Sequence, residues 1–159
     1  MRNRSGFTVV EVMTVIAILA ILSSIAIVSY VQVQKGARDT SRQSTVSVVV
    51  EALEKYYNKN GEYPSVRSLA NNYADITGAA VGTKLNINPG DLKMPQTPAG
   101  TTNPITSAAT PANDYIAYIG TDTVDNSACQ SNLTGGCQHF TIKYNKEVGG
   151  LVTIEGRHQ

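Results

Sequence analysis

The sequence is short of charge. Charged residues make up 16% of its 159 positions, against roughly 25% in an ordinary soluble domain. The shortage is local: Glu11 and Lys35 bracket 23 residues with no charge, and residues 7–34 hold neither proline nor glycine. That run exceeds the roughly 20 residues that cross a bilayer as a helix. A helix is also the single-segment structure that satisfies its own backbone in lipid. The chain is long enough for one domain plus an anchor. Past the run, the missing feature is an excess of either sign. With Arg2, Arg4 and Glu11 set aside, 11 basic residues face 11 acidic ones, so nucleic-acid binding gets no support from charge. Histidine is reduced to His139 and His158. No nucleophile–base pairing, phosphate-cradling loop or metal motif stands out, so neither an enzyme nor a cofactor is expected. Tryptophan is absent, there are two cysteines, and the eight tyrosines read as core and sheet residues rather than as a platform for bases.

What is there begins with RSGFTVVEVMTVIAILAILSSIAIVSY, Arg4 to Tyr30. Glu11 sits inside the apolar run, where an ionised group costs about 2.5 kcal/mol or more on insertion scales. Such a residue is expected to have a partner and a role; the plainer reading is a carboxylate snorkelling to the headgroups. The basic start, Arg2 and Arg4, fits a secretory signal, and Ser24-Ile25-Ala26 has the small residues of a cleavage site. The apolar run continues well beyond that point, whereas a signal's apolar region is only about 7–15 residues, and Glu11 falls within it. Flanking charge does not set an orientation: Arg2 and Arg4 lie on one side, Lys35, Arg38 and Arg42 (with Asp39) on the other.

Beyond Lys35, apolar residues recur at Val46, Val49, Val50, Leu53, Tyr56 and Tyr57, an amphipathic helical stripe. Gly61 is a helix stop, with Pro64 just past it. One helix over 7–60 would reach about 80 Å at 1.5 Å per residue. A compact domain of this size cannot enclose it, so the apolar half is expected to project. All six prolines fall between Pro64 and Pro111. SVRSLANN reads as a short helix capped by Ser65, and TPAGTTNPITSAATPAN as a surface loop. Three strand candidates follow, YIAYIG (115–120), HFTIKY (139–144) and LVTIEG (151–156), the last two alternating apolar with polar and joined through NKEVGG as a hairpin. The expected fold is α+β. A long N-terminal helix has its apolar half (7–34) projecting and its amphipathic half (35–60) packed on a small antiparallel sheet of about three to four strands. The sheet comes from 115–159, after a loop region with a short helix over 61–114.

These residues resemble the type IV pilin superfamily, which includes type IV and competence pilins and the pseudopilins of type II secretion. The likeness rests on the basic leader MRNRSG, on Phe7 and Glu11 at set spacing before the apolar helix, and on GEYP after the amphipathic half. It implies that residues 1–6 are a leader and that a membrane prepilin peptidase and N-methyltransferase cuts between Gly6 and Phe7 and methylates Phe7. It also implies that Glu11 pairs with the amino group of Phe7 in a neighbouring subunit. The implied function is a structural, non-enzymatic subunit of a surface filament serving adhesion, motility or DNA uptake. The subunit would be a single-pass precursor in the cytoplasmic membrane before it joins a helical homo-oligomer. Its partners would be an assembly platform and minor pilins. A minor pilin or pseudopilin, or a membrane-anchored adhesin or sensor domain, are the alternatives. Unlike many major pilins, this chain has no proline within residues 7–63, and unlike most major pseudopilins it has no tryptophan.

Cys129 and Cys137 bracket QSNLTGG. In an exported domain an even cysteine count suggests a disulfide; metal binding with His139 is the alternative. Asp122, Asp125 and Asn126 carry oxygens of the kind calcium takes, although turns favour the same residues and no EF-hand pattern is present. Asn132-Leu133-Thr134 is a glycosylation-type sequon.

Overall fold

A computed structural model describes residues 6–71, 76–77, 85–97, 100–101, 103–121, 129 and 137–156. The calcium candidates Asp122, Asp125 and Asn126, the sequon at 132–134, His158 and residues 1–5 of the leader lie outside them. The elements in chain order are α1 (Val9–Asn60), α2 (Val66–Asn71), β1 (Ile105–Thr106), β2 (Ile116–Thr121), β3 (His139–Lys146) and β4 (Gly150–Glu155), with a 3₁₀ turn at Pro89–Leu92. The chain divides into two units, Met1–Ala37 and Arg38–Gln159.

In the first unit none of the described side chains of α1 is buried. Its described large apolar side chains from Val9 to Val33 are between 44% and 74% exposed. Of the helices among the described residues, α1 alone is long and apolar enough to cross a membrane. Four of the run's hydroxyls are satisfied within the helix. The hydroxyls of Thr14, Ser23, Ser24 and Ser29 donate to the carbonyls of Glu11, Leu19, Ile21 and Ile25 at 2.7–3.2 Å. No hydroxyl among them is left as an open donor in an apolar phase.

The second unit holds the core. On its part of α1, Val46, Val49 and Leu53 are fully buried, while Val50, Tyr56 and Tyr57 pack half-buried against the same cluster. The helix ends where the stripe ends: Gly61, at φ 76°, donates its N–H to the Tyr57 carbonyl at 2.7 Å, a left-handed cap that glycine adopts without Cβ strain. The sheet order is β1-β2-β3-β4. β2 and β3 pair antiparallel with Tyr118 opposite Ile142, and β3 and β4 with Ile142 opposite Ile154. The alternation in β3 is that of a sheet with one covered face, Phe140, Ile142 and Tyr144 being buried and their neighbours half-exposed.

The sheet is mixed rather than antiparallel. β1 runs parallel to β2, Ile105 opposite Ile116, inside the 61–114 stretch expected to be loop. Two residues carry no period to read, and Ile105 lies among threonines, alanines and prolines. It becomes strand because the Pro104 carbonyl accepts the Ile116 N–H at 2.8 Å and because its side chain, 3% exposed, completes the core.

The residues after α1 tie the helix end to the sheet. Tyr63 and Cys137 exchange backbone hydrogen bonds at 2.7 and 2.9 Å. Tyr63 meets Phe140 edge-on, with ring centroids 4.7 Å apart, and the Tyr118 hydroxyl donates to the Pro64 carbonyl at 2.7 Å. Cys129 and Cys137 are bridged, their Cα atoms 5.7 Å apart. Gly120 lies against the bridge, and a Cβ there would run into the Cys137 sulfur.

At the other end of the packed helix the stripe turns polar. Arg42, 1% exposed, has Nε on Asp114 Oδ1 at 2.9 Å and Nη1 on Asp39 Oδ1 and Glu147 Oε1 at 2.8 and 3.0 Å. Its Nη2 reaches Gln96 Oε1 at 3.3 Å. Arg38 clasps Glu147 through Nε and Nη2, both at 2.6 Å. Asp39 accepts the backbone N–H groups of Glu147 and Val148 at 2.8 and 2.9 Å. Asp114 reaches Arg42 from a left-handed backbone, φ 64°, which aspartate tolerates better than most residues. The Arg38 hydrogen bonds hold the Glu147 carboxyl down at about 2, helped by Arg42 and opposed by partial burial. Burial pushes Asp39 up, but the two amides and Arg42 outweigh it and keep it below its usual range.

Two outcomes follow. Arg42→Met removes the cation shared by Asp39 and Asp114 and should destabilise the second unit by about 3 kcal/mol or more, read as a lower urea midpoint. Because the folded pKa of Glu147 is depressed, its contribution is complete above about 4.5 and is lost as pH falls toward about 2. The melting temperature should therefore hold from pH 7 to 5 and fall below that. Glu147→Gln should melt lower at neutral pH and fall less steeply.

Candidate processing and assembly site

The residues singled out at the N-terminus come together at the start of α1. Gly6, Phe7 and Thr8 precede the helix and are exposed, and Phe7 is 89% exposed. Nothing lies within 4 Å of where a Cβ at Gly6 would be, and Gly6 is not among the residues with positive φ. The folded chain therefore makes no steric demand for glycine there.

Thr8 caps the helix and Glu11 closes the cap. The Thr8 hydroxyl accepts the Glu11 N–H at 3.3 Å. Glu11 Oε2 accepts the Thr8 backbone N–H at 2.8 Å and the Thr8 hydroxyl at 2.7 Å. This is a capping box, in which a threonine and an acidic residue three positions on satisfy each other's orphan donors. The carboxylate also lies at the positive end of the helix dipole. Glu11 thus has a partner within its own chain as well as the neighbouring-subunit partner the resemblance implies. The signal was in the sequence: T-V-V-E is the capping-box spacing, masked because the stretch reads first as an apolar run.

The other proposed sites are separate from this one. The disulfide and the half-buried His139 belong to the second unit, and His139 opens β3 opposite Thr121. Among the described residues, no three histidine, cysteine or acidic side chains are grouped so as to hold a metal.

Residues 1–27 match the family described as the prokaryotic N-terminal methylation motif. No curated protein and no solved structure matches the chain at a significant level. The motif indicates a type IV pilin-like prepilin leader. It points to a structural protein rather than an enzyme, of type IV pilin or pseudopilin kind, and implies prepilin-peptidase processing and pilus assembly. With the apolar helix, it fits a membrane-anchored precursor that becomes a surface pilus.

Because Gly6 is open in the folded chain, Gly6→Val separates recognition by a peptidase from folding. The variant should keep the wild-type melting temperature and accumulate in the membrane as precursor. The check is intact mass beside a thermal melt; a mature-length chain from the variant would contradict cleavage after Gly6.

Proposed function

We propose that this chain is a pilin: a structural, non-enzymatic subunit that is cut between Gly6 and Phe7, methylated on Phe7 and assembled through its apolar helix into a type IV pilus-like filament. The observation that carries the reading is the methylation motif over residues 1–27, which runs into a helix whose described large apolar side chains are exposed from Val9 to Val33. That surface needs a bilayer before assembly and neighbouring copies after it. The second unit has its own core and a disulfide, and it is the part displayed outward.

In this reading Glu11 accepts the Phe7 amino group of a neighbouring subunit. Cleavage creates that cation beside the apolar phase, and a charge there is tolerated when paired. Only Glu11 Oε2 is engaged by Thr8, so the carboxylate can bridge its own cap and a neighbour's cation.

Glu11→Gln is the decisive variant, because glutamine also closes a capping box. The helix start is kept and the negative charge alone is removed. The expected outcome is a processed, methylated chain beginning at Phe7, held in the membrane at normal level, with filament yield after shearing cut by roughly tenfold or more. Wild-type filament numbers at equal subunit level would refute charge pairing. A wild-type chain that does not begin at Phe7 would refute the pilin reading itself.

A further inference from the structure

One junction in the second unit carries chemistry that the packing does not use. Asn60 and Gly61 form the single Asn-Gly pair in the chain. Asn60 is the last residue of α1, and both residues are exposed. Asparagine is a thermolabile residue, and a following glycine opens the route. Without a side chain on Gly61 its backbone nitrogen is unshielded, and nothing lies within 4 Å of where a Cβ would stand.

The reaction needs only water. The Gly61 nitrogen gives up its proton to hydroxide and attacks the Asn60 side-chain carbonyl carbon. A C–N bond forms there, the bond from that carbon to Nδ2 breaks, and ammonia leaves with a proton taken from water. The product is a cyclic imide. Water then opens one of the ring's bonds to the Gly61 nitrogen. Opening on the side-chain side leaves aspartate. Opening on the main-chain side leaves isoaspartate, with the chain now running through the former side chain. Nothing is oxidised or reduced.

The fold engages both reacting groups elsewhere. The Gly61 N–H donates to the Tyr57 carbonyl at 2.7 Å, and Asn60 Nδ2 donates to the Tyr56 carbonyl at 2.8 Å. A donated N–H is harder to deprotonate, and an amide drawn back along the helix does not offer its carbon to the next residue. The acceptors are fixed in turn. Tyr56 and Tyr57 pack half-buried on the core, and Tyr57 lies against Tyr63 with ring centroids 4.6 Å apart. Both bonds belong to the end of the helix, where opening is easiest.

We propose that Asn60 is a self-modification site, converted without an enzyme to aspartate or isoaspartate when the last turn of α1 opens. Conversion then works against re-closure. Neither product has an Nδ2–H for the Tyr56 carbonyl, and each puts a carboxylate at the negative end of the helix dipole. Isoaspartate also lengthens the main chain by a carbon atom just ahead of the Gly61 cap. Tyr63, with its backbone bonds to Cys137, follows two residues on.

The full-length chain in detergent is incubated at mildly alkaline pH, folded and, in parallel, reduced in urea. Peptides spanning Asn60 are separated by chromatography, and heavy-oxygen water marks the carboxylates formed during the incubation. In urea Asn60 should convert faster than every other asparagine. In the folded chain it should convert roughly thirtyfold more slowly, as the two hydrogen bonds at their usual net worth require. Lys59→Gly tests the route, because Lys59 is exposed and glycine there loosens the last turn without touching the core. Its folded rate, taken relative to its own rate in urea, should rise roughly threefold. The converted folded chain should melt below the unconverted one. Equal rates at Asn60 in the folded and urea-treated chains would overturn the protection, and a Lys59→Gly ratio equal to wild type would overturn the route through the last turn. A chain that in urea converts first at another asparagine would overturn the site itself, and a converted chain that melts with the unconverted one would overturn the effect on re-closure.

Discussion

The packing of the second unit turns on the guanidinium of Arg42. Apolar burial supplies much of the driving force but is non-directional; Val46, Val49 and Leu53 would be nearly as dry with the helix slid or rotated a little. A buried arginine is not so tolerant, since its donors form a fixed fork and an unmatched cation in the interior is costly. Arg42 is satisfied where the loop before β2 delivers Asp114, the β3–β4 turn delivers Glu147 and the segment after the 3₁₀ turn delivers Gln96. Asp39, one turn earlier, uses both its oxygens on the same β3–β4 turn. The cluster thus sets the register between helix and sheet, while the stripe and the Tyr63–Cys137 clamp hold them together.

The parts of this arrangement that were legible in the sequence are those with a period or a punctuation mark. The stripe from Val46 to Tyr57, the stop at Gly61, the alternation in β3 and the hairpin to β4 follow from spacing alone. The charge cluster did not. Arg38, Asp39 and Arg42 follow an apolar run and read as its flanking charges, and their partners Asp114 and Glu147 lie 72 and 105 residues from Arg42. Pairing over such separations leaves no local pattern. The parallel β1 was illegible for another reason: a two-residue strand is defined by its neighbour rather than by its own composition. The Thr8–Glu11 cap was readable and overlooked, because the apolar character of residues 7–34 dominates any window that contains it.

The two units answer the same physical demand differently. In the second, the described residues bury most of their large apolar side chains in one core, and a disulfide closes it. In the first, the helix satisfies its own backbone between its ends and the hydroxyls of Thr14, Ser23, Ser24 and Ser29, yet leaves its described large apolar side chains exposed. Internal bonding of those four hydroxyls suits a segment that passes from one apolar surrounding to another, since none of these bonds has to be broken on the way.

Glu11 shows how such a passage can be selective. If the carboxylate had no partner in the isolated subunit, its cost would fall on insertion itself, and much of the gain on assembly would only repair that loss. The cap changes the reference state. With Thr8 donating twice and the helix dipole adding its field, the carboxylate is stabilised and oriented toward the helix start before any neighbour arrives. In the pilin reading, a neighbour's amino group then adds a charge–charge term to a carboxylate already aimed, and no ordering of the Glu11 side chain is charged against it. A misregistered neighbour would leave the cap intact but strand its own ammonium in the apolar phase, where an unpaired charge is expensive. On that account the discrimination between correct and incorrect docking resides mainly in the cation, and the capped glutamate is the fixed point against which register is measured.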